Sequence, residues 1–204
     1  MTFIVIEGLD GCGGETQTKL LKKHFMKNKV KCRVFRSPDY RTPIGNAIKS
    51  YLNGKLKLDV YSAFTLFSSD TLLTSKTIEK ERVDKVVVMD RYVTSTLAYQ
   101  CARGLDFKKG VEIIQKLDYQ KPDLIVYIDI KPDTSVNRKK KEKKILDYHE
   151  RDVLYLKRVR DFYLMEIKNK VLGNWVVIDG EKSIQEVHKE ILKVVNLLLG
   201  KKIR

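Results

Sequence analysis

No apolar run in this 204-residue chain approaches the length that a bilayer-spanning helix requires, so no membrane partner is expected. No signal-peptide pattern precedes the first apolar strand, and a cytoplasmic location is the expectation. Cysteine is scarce. Cys12, Cys32 and Cys101 are odd in number and lack metal-ligand spacing, which argues against a disulfide framework or a zinc site and suits a reducing compartment. Acid is in deficit, with 26 Asp and Glu against 41 Lys and Arg, a formal net charge of +15. That balance suits anionic partners such as nucleotides, nucleic acid or an acidic surface. Lysine-rich surfaces also serve solubility and, with many glutamates, thermophilic proteins. The arginine–aromatic tracts of nucleic-acid modules are missing, so nucleic acid is not the expected partner. There is no internal repeat and no interdomain linker, and residues 1–204 read as a single domain.

What is present is organised around one stretch. Ile4-Val5-Ile6 runs into Glu7-Gly8-Leu9-Asp10-Gly11-Cys12-Gly13-Gly14-Glu15-Thr16-Gln17, and a helical pattern follows. Strand, glycine-rich turn and helix form the layout of a phosphate-binding loop. Glycines let the backbone curl around an oxyanion without a Cβ in the way, and the next helix adds its positive dipole end. The Walker A pattern G-x-x-x-x-G-K-[ST] nevertheless has Gly14 for its lysine and Glu15 for its hydroxyl residue. A tight strand–helix turn that binds nothing is the bland alternative. Cys12 sits where a small residue is needed and reads as steric filling.

Further on, Val34-Phe35 reads as a second strand, followed by the loop Arg36-Ser37-Pro38-Asp39-Tyr40-Arg41-Thr42-Pro43. Arg36 and Arg41 are either a clamp for a second phosphate or two solvated arginines. Pro43 can open a helix. Residues 59–81 have helical periodicity. Val86-Val87-Val88 is a central parallel strand ending in Asp90-Arg91-Tyr92, where polar residues at a strand's carboxyl end face the phosphate loop in open α/β folds. Residues 124–128 and 175–178 supply strands four and five, and 133–138, 153–172 and 183–199 supply helices. Ser183 and Glu186 have capping-box spacing. The expected architecture is α/β: three layers, α/β/α, around a five-stranded parallel sheet of P-loop type. Lys139-Lys140-Lys141-Glu142-Lys143-Lys144 reads either as a solvated loop or as a mobile lid near 138–150 whose ammonium groups close over polyphosphate.

These segments resemble the thymidylate kinase family of P-loop nucleoside-monophosphate kinases nearly end to end. Glu7 to Gly13 resembles the family's E-G-x-D-G-S-G, and Lys121-Pro122-Asp123-Leu124 its K/R-P-D-L. Val159-Arg160 with Tyr163 resembles its post-lid helix. Asp90 to Gln100, continuing to Arg103-Gly104, resembles D-R-[YFH]-x-x-S-x-x-A-Y-Q and is the most specific match. The resemblance implies transfer of the ATP γ-phosphoryl group to dTMP with magnesium, in a homodimer. Gly8, Leu9, Asp10, Gly11, Cys12, Gly13, Gly14, Glu15 and Thr16 would cradle ATP. Asp10 would also orient the acceptor. Arg91, with Arg36 or Arg41, would hold the acceptor phosphate. Phe67 would stack on the base, and Ser95, Tyr99 and Gln100 would line the base and sugar pocket. Asp90 would support the magnesium through water; Glu15, where the family has a hydroxyl, either binds the magnesium directly or, without metal, repels polyphosphate. Apart from the resemblance, the candidates to replace the missing loop lysine are Lys139, Lys140, Lys141, Lys143 and Lys144 of the cationic run and Lys19 or Lys22 of the first helix. Thr71 stands where the family carries a base-reading arginine, Tyr148 stands near where the lid often has arginine, and Arg41 is shifted from the family's spacing. The missing lysine and hydroxyl leave a second reading open: a weak or inactive nucleotide-binding paralogue acting as sensor or scaffold.

Overall fold

The computed structural model describes residues 1–141 and 153–200. Five strands form one parallel sheet: β1 (Phe3–Gly8), β2 (Cys32–Arg36), β3 (Val86–Asp90), β4 (Leu124–Asp129) and β5 (Trp175–Asp179). Their spatial order is β2-β3-β1-β4-β5. β1 and β3 are buried along their whole length, which explains why they are continuous apolar runs rather than alternating ones.

Helices cover both faces. Ile4 and Ile6 pack with Leu21 and Phe25 of α1 (Gly14–Lys27) and with Val187, Ile191 and Val195 of α8 (Ile184–Gly200). Phe3 and Val5, pointing the other way, pack with Phe64 and Ile78 of α3 (Val60–Glu81), Leu97 of α4 (Val93–Cys101) and Ile114 of α5 (Phe107–Lys116). Each such fully buried side chain contributes about 1.5–3 kcal/mol of burial free energy. The alternation of β1 thus sets the three layers.

Helix starts follow local chemistry. Thr42 accepts from the Gly45 amide and Pro43 occupies the first turn of α2 (Pro43–Leu52). Asp59 accepts from the Tyr61 and Ser62 amides at the start of α3. Ser183 and Glu186 form the expected reciprocal cap. Three segments differ from the sequence reading. α5 had no counterpart in it. α6 (Pro132–Lys141) runs three residues beyond 138, because its cationic last turn suits a helix C-terminus. α7 (Val153–Lys168) stops before 172, where Lys170 and Leu172 take left-handed backbone angles. Lys143, Lys144 and Tyr148 lie outside the described residues, as does most of the anticipated lid.

Candidate active site

A cavity of about 830 Å³ opens at the carboxyl ends of β1, β2 and β3, the end of an open α/β sheet at which ligands bind. The loop after β1 forms its floor. Gly8 is required there, because a Cβ would come within 2.7 Å of the Ile128 carbonyl oxygen. Gly13 has φ of 94° and precedes α1 without any side-chain cap. The amides of Gly11, Gly13 and Thr16 have no hydrogen-bond acceptor among the described residues. Unpaired amides at an uncapped helix start form an anion site. From above, Ser135 donates to the Asp10 carbonyl at 2.5 Å and Arg138 donates to the Gly11 carbonyl at 3.3 Å, so α6 holds the loop in shape. Burial pushes the Cys12 thiol up to about 12, which makes it inert packing.

Glu7 anchors the opposite wall. Its buried carboxylate accepts from the Tyr92 amide, the Thr94 hydroxyl, the Ser95 amide and hydroxyl, and the Tyr163 hydroxyl, at 2.5 to 3.3 Å. This carboxylate from β1 caps the start of α4, whose own cap residue, Tyr92, supplies no side-chain bond. Burial raises the Glu7 carboxyl above its usual value despite these donors.

Charge converges between these walls. Arg91 has a left-handed φ of 67° and lies against Asp10 Oδ1 at 2.5 Å and over the Tyr99 ring at 5.3 Å. Lys139 brings its ammonium to 3.5 Å from Asp10 Oδ2, with its side chain only 14% exposed. Burial alone would raise the Asp10 carboxyl; the Arg91 and Lys139 cations outweigh it and hold the group below its usual value. Arg36 is paired in register with Asp90 across the sheet. Its guanidinium lies 3.2 Å from Glu15 and 3.6 Å from Asp90. Glu15 also takes Lys19 at 2.6 Å. Burial raises the Asp90 carboxyl more than Arg91 and Arg36 lower it. Glu15 and Asp90 thus share the Arg36 guanidinium as a cation and bring two hard oxygen donors to the same cavity. That set fits magnesium, which binds through one or two carboxylates and keeps water or phosphate oxygens for the rest.

The candidate residues separate sharply. Gly8, Leu9, Asp10, Gly11, Cys12, Gly13, Gly14, Glu15, Thr16, Arg36, Phe67, Asp90, Arg91, Ser95, Tyr99, Gln100 and Lys139 all line the cavity. Lys140 and Lys141 do not; their side chains are exposed on α6. Arg41 is turned to solvent, 90% exposed, and forms a two-bond pair with Asp39 at 2.8 Å. Thr71 is fully buried and donates to the Phe67 carbonyl, behind the cavity wall. Both Arg41 and Thr71 are thus corrections to the acceptor set: a carboxylate two residues away captures the first, and the second is short enough to bond its own helix.

A model of the thymidylate kinase family matches residues 6–191. The chain belongs to the thymidylate kinase family. It is 33% identical to a thymidylate kinase of Caldanaerobacter subterraneus over 98% of both chains. It is 32% identical to one of Thermoanaerobacter over 97% of this chain and 98% of that protein. A Schizosaccharomyces pombe thymidylate kinase is 29% identical over 95% of this chain and 91% of its own. Five parallel strands with helices on both faces agree with the family's P-loop architecture.

Within this family member the cavity also contains residues to which sequence reasoning gave no role. Arg103 lies over the rings of Tyr51 and Tyr155 and donates to both hydroxyls. Tyr40 stands on the wall where a loop arginine was sought. Glu7 was visible as an acid ending an apolar strand, a signal that a buried partner set exists.

Proposed function

We propose that this chain transfers the γ-phosphoryl group of ATP to dTMP, giving dTDP and ADP, as a cytoplasmic thymidylate kinase. The observation that carries this reading is the Lys139 ammonium beside Asp10, in the same cavity as Arg36 and Arg91. Phosphoryl transfer needs positioning and charge neutralisation more than covalent chemistry. The loop amides would cradle the donor phosphates. Arg91 and Arg36 would hold the acceptor phosphate, with Asp10 orienting the acceptor. Phe67 would stack on the base, while Ser95, Tyr99 and Gln100 shape the pocket beside it. Lys139 would supply the cation that Gly14 lacks. Magnesium, held by Glu15 and Asp90, would neutralise phosphate charge when bound.

One kinase domain over residues 1–204, with a lid near 138–150, is part of this reading, and so is a homodimer. Exposed Tyr61 and Leu73 on α3 support the homodimer. Among the described residues no helix is long and apolar enough to cross a membrane.

A coupled ADP-release assay with magnesium, ATP and dTMP, run at room temperature and hot, tests the reaction. Turnover supports it. The second reading, an inactive nucleotide-binding sensor or scaffold, is favoured by Glu15 drawing Lys19 and Arg36 to itself. Tight dTMP binding without ADP release would establish that reading instead.

A further inference from the structure

Arg36, one of the two arginines proposed to hold the acceptor phosphate, is gripped by a carboxylate of the chain itself. It ends β2 and lines the cavity. Its guanidinium donates to Glu15 at 3.2 Å and lies 3.6 Å from Asp90. Glu15 sits in the first turn of α1, where the helix dipole and the loop amides favour an anion. The Walker pattern has a neutral hydroxyl at this place. Here a full negative charge stands in a site suited to anions, and it draws its counter-cation from the acceptor side.

The contact is built to open. The Arg36 side chain is 57% exposed and that of Glu15 44%, so parting them strands no buried charge. Lys19 holds the other Glu15 oxygen at 2.6 Å, but it is a surface partner one helical turn on, and pairs of that kind are weak. Two ligands then want opposite halves of the contact. A phosphate monoester wants the Arg36 guanidinium. Magnesium wants carboxylate oxygens such as those of Glu15 and Asp90, and it repels the guanidinium lying against them. Each ligand removes the other's competitor.

We propose that Glu15 is an internal competitor for the acceptor phosphate and that magnesium displaces it: once the metal takes Glu15 and Asp90, Arg36 is released to the phosphate of a nucleoside monophosphate. Magnesium and acceptor therefore bind with positive coupling before any ATP enters. The coupling is reciprocal, so the acceptor tightens magnesium by the factor by which magnesium tightens the acceptor. Coupled sites commonly shift one another by about 5- to 150-fold, and breaking an exposed ion pair belongs at the low end, about fivefold.

This inference rests on the kinase reading of the same cavity, and its test needs no turnover. Binding of dTMP to the full chain is measured calorimetrically without ATP, in magnesium chloride and in sodium chloride of equal ionic strength. Magnesium binding is measured with and without dTMP. The expected result is a Kd for dTMP about fivefold lower in magnesium, matched by a similar tightening of magnesium by dTMP. A change of less than about twofold in either direction of the cycle overturns the inference and leaves the kinase reading intact. Absence of dTMP binding in both salts overturns both.

A substitution assigns the coupling to Glu15. Glu15→Gln keeps the shape and removes the charge. It should bind dTMP without metal about fivefold more tightly than the unmodified chain, and magnesium should then change that affinity by less than about twofold. Glu15→Thr, which supplies the hydroxyl of the Walker pattern, should show the same metal-free tightening, so that a packing effect of either side chain is told apart from loss of charge. A full magnesium response kept by Glu15→Gln would place the metal on the nucleotide's own phosphate, and metal-free affinities unmoved in both variants would show that Glu15 does not compete. Either result overturns the inference.

Discussion

Lys139 holds its ammonium 3.5 Å from Asp10 Oδ2, across the gap between α6 and the phosphate loop, while Gly14 leaves the loop itself without a lysine. Three consecutive lysines end α6, yet only this one lines the cavity, because successive side chains on a helix turn about 100° apart. Replacing Lys139 by alanine should lower kcat by about a hundredfold or more, the cost of removing one well-placed cation from a charge-developing site. Lys140→Ala and Lys141→Ala should each cost far less. Equal losses for all three would show that the lysines act as a diffuse field.

The gap at Gly14 supplies a reciprocal test. A Cβ there would sit 3.0 Å from Asp90 Oδ1 and 3.6 Å from Cys12 Sγ, so a lysine needs only a small shift of the Asp90 carboxylate. Gly14→Lys with Glu15→Thr should therefore restore turnover to the Lys139→Ala enzyme. The same pair added to the unmodified chain should change kcat little, since the cation is already supplied. No recovery in the Lys139→Ala background would mean that Lys139 acts through Asp10 alone.

The sheet was legible because four strands are short apolar runs ending in glycine or acid, and β2 shows its Val34-Phe35 pair before a proline loop. α5 was not: Phe107, Val111 and Ile114 recur at helical spacing, but Gly110 at its centre reads as a break. The phosphate loop and the Asp90-to-Gln100 segment were legible as local patterns. What sequence could not separate were equivalent side chains a few residues apart. Arg36 ends a strand paired with Asp90, whereas Arg41 follows Asp39 and folds back on it. Lys139 and Lys140 differ only in helical phase, which depends on where α6 begins. Such choices are made by tertiary register rather than by composition.

Glu15 pairs with Lys19 and Arg36 in the structure and is a magnesium ligand in the proposed reaction, and these two roles have different signatures. As a magnesium ligand, its replacement by glutamine should raise the magnesium concentration for half-maximal rate by about tenfold or more. As a mere anchor for Arg36, 3.2 Å away, the same change should alter the KM for dTMP and leave the magnesium dependence where it was. A magnesium titration at saturating dTMP separates these outcomes.

Glu166 offers a prediction independent of turnover. It is wholly buried on α7, and neither carboxyl oxygen has a hydrogen-bond partner among the described residues. Burial, with the Glu7 carboxylate adding to it, raises this group well above the usual glutamate value of 4.5. A group raised in the folded state binds its proton more tightly there than in the unfolded chain. Its stabilising contribution is full below the unfolded value and is lost as pH climbs from that value through the folded one. The unmodified protein should thus lose thermal stability from about pH 5 upward, and Glu166→Gln, which cannot ionise, should lose less over the same range. The gap between their melting temperatures should widen by several degrees between about pH 5 and pH 9, since about 1 kcal/mol moves a domain of this size by about 2–4 °C. Parallel melting curves across that range would show that Glu166 is solvated in the folded protein, and the burial argument would fail at its first step.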